Sequence, residues 1–320
     1  MGNFIKHLPL EYIFNKPKSF SQTKDGLYKE YNGFAPENYE KDWFIRFLRY
    51  HFPDNKTAVN FFGPRSTPFF VKKEFDGKKV FYTGEDVDHP LTTRHLYFGD
   101  YCLDYVDLAM GYGEVDNPKY LRFPLWVRWF FSPEDNEQTI RNRIKAINES
   151  HYEKTNECVL INKHDVRGTR EMIYNGVKDI LDVKLAGKWR NNTRELWDKY
   201  DNNKELYLRT FKFNICAENT NTERYVTEKI FDAFKADCIP LYYGSFNNPE
   251  PGLINHEAVI FWNKNGNNEG SRKKILELKN NEKYYKEFIS QPKLLPAMED
   301  YVIDRFAKLK EHFARVLRES

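Results

Sequence analysis

Cysteine is scarce in this chain. Four stand among 320 residues, Cys102, Cys158, Cys216 and Cys238, and none forms a C-x-x-C pair. Cys158, Cys216 and Cys238 lie in or beside apolar runs, so buried free thiols are expected, which fits a reducing compartment. Long apolar runs are missing too. None approaches the ~20 residues that a bilayer-spanning helix needs. The first residues, MGNFIKHLPLEYIF, lack the apolar core of a signal peptide. Lys6 stands where an N-myristoylation site needs Ser or Thr. A cytoplasmic protein is therefore expected, and the sequons at Asn55, Asn148 and Asn191 are accidental on that reading. Nor is one sign of charge in excess. Fifty Lys and Arg against 47 Asp and Glu leave a net charge of +3. No basic run alternates with aromatics, so a nucleic-acid partner is not expected. Internal repeats and low-complexity tracts are absent.

Aromatics are abundant. The chain holds 26 Phe, 21 Tyr and 6 Trp, 17% of its residues, within a hydrophobic content of 40%. That is ample for packed cores, and it also suits stacking on sugar or base faces. The length favours two domains over one. Residues 1–35 show no clear period. From Pro36, PENYEKDWFIRFLRYHF puts Trp43, Phe44, Phe47 and Leu48 on one helical face. Ala58 to Phe62, Lys79 to Thr83 and Tyr105 to Met110 read as strands. The polar stretch 132–157, helical from about Gln138 to Ile147, places a domain boundary near residue 150. Beyond it strand and helix alternate. Cys158 to Asn162 and Val183 to Ala186 read as strands around a helix from Arg170 to Leu181. A short helix, Arg194 to Tyr200, follows, and Ala258 to Trp262 is a later strand. The alternation predicts a parallel sheet with helices on both faces. Residues 151–295 form this second domain, and 296–320 a closing helix.

The most informative stretch runs from Phe211 to Ser245, FKFNICAENTNTERYVTEKIFDAFKADCIPLYYGS. It reads as a strand to Cys216, then a polar loop with Glu218, Asn219 and Thr220. A helix follows from about Tyr225, with Glu228 and Lys229 in its first turn. A second strand, Ile239 to Tyr243, stops at Gly244. A loop between strand end and helix start is where α/β proteins present ligand contacts. The free N–H groups and dipole of the helix favour a phosphate there.

Asn219, the block Tyr225-Val226-Thr227-Glu228-Lys229, Pro240 and Gly244 together resemble the donor-binding signature of the α1,3/4-fucosyltransferases, the bacterial branch above all. Tyr120-Leu121-Arg122-Phe123-Pro124-Leu125-Trp126 is similar to a run near the end of that family's first domain. The resemblance implies the GT-B architecture: two Rossmann-like α/β domains facing a central cleft, with C-terminal helices crossing back to the first. It implies GDP-fucose as donor, a glycan as acceptor and no required cofactor, Mn²⁺ or Mg²⁺ being at most stimulatory. Without a metal, the leaving diphosphate falls to Lys229 and to Arg170, preferred over Arg167 because R-x-x-x-Y to Tyr174 resembles the family pattern. Tyr225 is expected near a phosphate or sugar oxygen, Asn219 near ribose or fucose, and Glu228 on the ribose hydroxyls. Glu85, in YTGE after a strand, matches the family's proposed base. A carboxylate at a strand end would project into that cleft, where a general base is needed. The loop before Tyr225, Asn221-Thr222-Glu223-Arg224, departs from relatives that are richer in Gly or aromatics there, as does Ala217.

Other readings stand beside this one. Asp86-Val87-Asp88 is a D-x-D, the pair with which GT-A transferases hold Mn²⁺ on a diphosphate. His89, His95 and His164 are rival bases. The scaffold could also bind carbohydrate without catalysis. In the final helix Val302, Phe306, Leu309, Phe313 and Val316 form one apolar stripe flanked by Arg305, Lys308, Lys310, Arg315 and Arg318. Docking on the first domain is favoured over peripheral contact with the inner face of a membrane.

Overall fold

The protein is seen in a computed structural model that describes residues 17, 19–33, 35–65, 68–88 and 98–318. The chain divides into two compact units, residues 1–135 with 304–320, and residues 136–303.

The first unit carries a six-stranded sheet laid out in chain order. Its strands are β1 (Phe20–Gln22), β2 (Tyr28–Tyr31), β3 (Val59–Phe62), β4 (Lys78–Tyr82), β5 (Leu108–Gly111) and β6 (Tyr120–Arg122). β1 and β2 are antiparallel, and every later pair is parallel. All four residues of β3 and of β5 are buried, as expected of parallel strands covered on both faces. The helix Trp43–His51 starts where the Asp42 carboxylate accepts the Phe44 N–H at 2.8 Å. It buries Trp43, Phe44, Phe47 and Leu48. The final helix, Ala297–Arg318, gives its residues from Asp304 onward to this unit. Its Phe306 ring meets Trp43, Phe47, Phe123 and Phe131, and Phe313 meets Phe47 and Phe61. The apolar stripe is thus buried inside protein. Among the described residues no helix is long and apolar enough to cross a membrane.

The second unit holds a five-stranded, wholly parallel sheet in the order β11-β10-β9-β7-β8. These are β7 (Asn156–Leu160), β8 (Val183–Leu185), β9 (Phe211–Ala217), β10 (Ile239–Tyr243) and β11 (Ile260–Phe261). The helices Thr169–Val177, Lys204–Leu208 and Glu228–Lys235 make the crossovers. The chain steps outward from β7 to β8, then returns past β7 to lay down β9. The strand order therefore reverses between β7 and β9. Pro240 sits in β10 without disrupting it, because pairing with β11 begins one residue later, at Leu241.

Three details differ from the sequence-based expectation. The β1–β2 hairpin lies in the stretch that shows no period. It closes through Asp25-Gly26, with Gly26 at φ 70. The signature helix begins at Glu228 rather than near Tyr225. The helix Glu137–Asn148 belongs with the second unit, where the Asn148 amide accepts the Lys293 and Leu294 N–H groups, each at 2.9 Å. All four cysteines are free and buried.

Candidate active site

In an open α/β sheet, ligands bind beyond the carboxyl ends of the strands where the strand order reverses. In the second unit two loops leave that point, residues 161–168 after β7 and 218–227 after β9. Arg170 and Asn219 meet there, the Arg170 Nη2 donating to Asn219 Oδ1 at 2.6 Å. Thr169 Oγ1 donates to the Glu218 carbonyl at 3.1 Å, a second stitch between the loops. Asp165 turns back on the helix that follows it. Its Oδ2 accepts the N–H groups of Arg170 at 3.0 Å and Glu171 at 2.7 Å, doing the work of a cap that Gly168 cannot do. Arg170 is only 4% exposed, with Asp165 Oδ1 3.7 Å from its Nη1.

Glu218 is the centre of the β9 loop. Its carboxylate is fully buried and faces three donors. Oε1 takes the Thr227 N–H at 2.8 Å and the Thr227 hydroxyl lies at 3.0 Å from Oε1 and 2.8 Å from Oε2. Oε2 also accepts from the Lys229 ammonium at 3.0 Å. Lys229 donates to Thr227 Oγ1 as well, at 2.7 Å, and lies 3.7 Å from Glu228 Oε1. Burial pulls the Lys229 pKa down, but Glu218 and Glu228 outweigh it and hold the ammonium above its ordinary value. Burial likewise pushes Glu228 up, and Lys229 with Lys204 reverses it, leaving that carboxyl below its ordinary value. Both side chains keep about a fifth of their surface exposed, 22% and 21%.

The same carboxylate explains two features of the signature. The N–H that Glu218 takes from Thr227 fixes the helix start at Glu228, and Tyr225 is left in the loop, 2% exposed. Gly244 has φ 150, and a Cβ there would stand 2.6 Å from Glu218 Cγ. Only glycine both adopts that backbone and leaves room for the acid. Sequence reading placed Glu218 in the loop and gave it no role. The signal was available in hindsight only as its spacing to Thr227, Lys229 and Gly244.

In the first unit Glu85 follows β4, half-buried. Thr83 Oγ1 bonds its backbone N–H and carbonyl, at 3.0 and 3.1 Å, and no described residue bonds its carboxylate. The neighbouring D-x-D is bridged by a phenol. The Tyr112 hydroxyl lies 2.8 Å from both Asp86 Oδ1 and Asp88 Oδ2. Asp86 is 2% exposed and also accepts the Asp88 N–H at 2.9 Å. Burial raises the Asp88 pKa, and Asp86 adds to the rise. Among the described residues no group of three or more His, Cys, Asp or Glu is arranged to hold a metal. His89 and His95 lie outside the described residues, and His164 is exposed in the β7 loop.

Comparison with known proteins bears on the family and the fold. A model of glycosyltransferase family 10 (fucosyltransferase), C-terminal part, matches residues 151–310. An α-(1,3)-fucosyltransferase FucT of Helicobacter pylori is 32% identical over 221 residues, 60% of this chain, and the match spans 43% of that relative's length. A crystal structure of an α1,3-fucosyltransferase with GDP-fucose aligns over 84% of this chain and 80% of its own, with a TM-score of 0.55 at 22% identity. Another, with GDP, aligns over 83% and 80%, with a TM-score of 0.54 at 21% identity. Identity at that level speaks to the fold, and the fold is the GT-B one.

Proposed function

This chain belongs to glycosyltransferase family 10, and on that premise we propose that it moves L-fucose from GDP-fucose to a glycan hydroxyl. The observation that carries the reading is the convergence of Arg170, Asn219, Glu218 and Lys229 at the reversal of strand order, on loops stitched to each other. Two cations beside a helix start suit a leaving diphosphate. Glu228 suits the ribose hydroxyls, and Asn219 and Tyr225 complete the donor set. The transfer inverts the sugar carbon. The acceptor oxygen forms a bond to C1 of fucose as the bond from C1 to the β-phosphate oxygen breaks. Glu85 takes the acceptor proton, and GDP leaves with its charge met by Arg170 and Lys229. No metal is required. An α1,3 linkage to GlcNAc or Glc, in N-acetyllactosamine- or lactose-type units such as those of lipopolysaccharide or capsule, follows from the family likeness. The protein works in the cytoplasm. Any peripheral membrane contact uses the basic flanks of the final helix, since its apolar stripe is buried.

A thermal-shift screen tests the donor. GDP at a hundredfold excess over its Kd should add about 2.7 kcal/mol of stability, and UDP, CMP and dTDP far less. Equal shifts with UDP and GDP would overturn the donor. Activity that disappears in EDTA would favour a metal on Asp86 and Asp88. Binding of glycan and GDP without turnover of GDP-fucose would favour a non-catalytic carbohydrate-binding protein.

A further inference from the structure

Just beyond β10 the chain makes a turn that few sequences adopt. Ser245, Phe246 and Asn247 all have left-handed backbones, with φ of 48, 50 and 56. None is glycine, so each costs free energy, and the turn persists only because its surroundings hold it. The holding contacts are specific. The Phe246 N–H donates to Asn221 Oδ1 at 2.6 Å, and Ser245 Oγ accepts the Arg224 N–H at 3.1 Å. Asn247 Nδ2 donates to the Trp262 carbonyl at 3.3 Å and to Asn263 Oδ1 at 2.9 Å. Asn221 and Arg224 belong to the loop that carries Glu218 and Asn219. The turn is therefore tied to the loop of the candidate donor site, and what it carries is an apolar ring, 64% exposed. With most of its surface in water the ring adds little to the core, so packing does not account for the strained turn that displays it.

We propose that Phe246 is a specificity residue whose ring stacks on the C–H and methyl face of the donor's 6-deoxyhexose. This rests on the donor reading above. A sugar face fits better than guanine. A base is read by hydrogen bonds at its edge, but the hydroxyl of Ser245 and the amide donor of Asn247 are already bonded within the protein. The turn offers a ring face and little else.

The test compares GDP with GDP-fucose on the whole chain, by calorimetric titration and steady-state kinetics, for wild type, Phe246→Ala and Phe246→Trp. Phe246→Ala should keep the wild-type melting temperature, because the ring is exposed. It should bind GDP within about twofold of wild type and weaken GDP-fucose about five- to tenfold, the size of one aromatic stack. Phe246→Trp should restore the difference. Parallel weakening of GDP and GDP-fucose would assign the ring to the base and overturn the proposal. So would unchanged affinity for both. A wild-type chain indifferent to GDP would instead remove the donor reading, and this inference with it.

Discussion

At the carboxyl edge of the second sheet, Arg170, Asn219, Glu218, Glu228 and Lys229 are bonded to one another or to the backbone around them. At the corresponding edge of the first sheet, Glu85 stands half-buried, with nothing among the described residues holding its carboxylate. The two carboxylates, Glu218 and Glu85, show what the difference means. Glu218 is fully buried, faces three donors and sets the start of a helix, so its charge is committed to structure. Glu85 has its backbone pinned by Thr83 and its side chain left over. A diphosphate site gains from groups placed in advance, because no reorganisation is then needed as charge develops. A base has to meet a proton that arrives with the acceptor.

The largest expected effect breaks the committed side. Glu218→Ala removes one partner of a buried pair and leaves Lys229 uncompensated, which costs about 3 kcal/mol, the lower end for such losses because Lys229 keeps some exposure. For a unit of this size that lowers the melting temperature by roughly 6–12 °C. A drop of one or two degrees would mean that the carboxylate does not organise the loop. Glu85→Gln sharpens the contrast from the other side. It should leave the melting temperature and GDP affinity unchanged and slow fucose transfer by about 100-fold or more. Turnover near the wild-type rate would send the search for the base to His89 and His95. Next in size come Lys229→Ala and Arg170→Ala. On the proposed donor reading each removes a charge-assisted bond to the diphosphate worth about 1.5–3 kcal/mol, so the donor KM should rise about ten- to a hundredfold if KM follows binding. Both should cost stability too, Lys229→Ala because it leaves the buried Glu218 carboxylate without its cation and Arg170→Ala because Arg170 is buried against Asn219 and Asp165. If Arg167→Ala alone raises KM, the choice between the two arginines is wrong.

Sequence reading reached the elements that carry a local signal. Ile239–Tyr243 is an apolar run with turn residues after it, and its observed bounds are those expected. The helix over Trp43, Phe44, Phe47 and Leu48 follows from spacing alone. What escaped depends on contacts distant in sequence. The start of the signature helix was read three residues early, because the group that fixes it is Glu218, brought onto Thr227 by the loop. Asp165 carries no local signal, because its carboxylate reaches the N–H groups of Arg170 and Glu171 only through the turn of the loop. Tyr112 lies some two dozen residues from the D-x-D, and only adjacent strands β4 and β5 bring its hydroxyl between those carboxylates. The β1–β2 hairpin was missed for a different reason. Its strands are three and four residues long, too short for a period to show, and the Asp25-Gly26 pair was its sole local mark.

The smallest expected effect concerns the final helix, the element that adds residues to the first unit from the far end of the chain. His312 is partly buried on it and lies 2.9 Å from the Arg315 guanidinium. Burial, then the positive charges of Arg315, Arg305 and Lys308, hold its pKa down to about 4. Unfolding releases it to an ordinary value of about 6.5. Between those values the unfolded chain binds a proton that the folded chain refuses. The folded state therefore keeps its full stability from this group above pH ~6.5 and loses it progressively as the pH falls toward 4. His51, on the helix Trp43–His51, is also held low, by burial first and then by Lys310, so part of the acid sensitivity belongs to it. Melting temperatures measured from pH 7 to 4 should fall for wild type and fall less steeply for His312→Gln. The second unit has no share in the His312 effect, so Phe246→Ala, which lies in that unit and removes no titrating group, should keep the wild-type slope. Equal slopes for His312→Gln and wild type would show that the final helix does not seat its histidine in this neutral, positively flanked position.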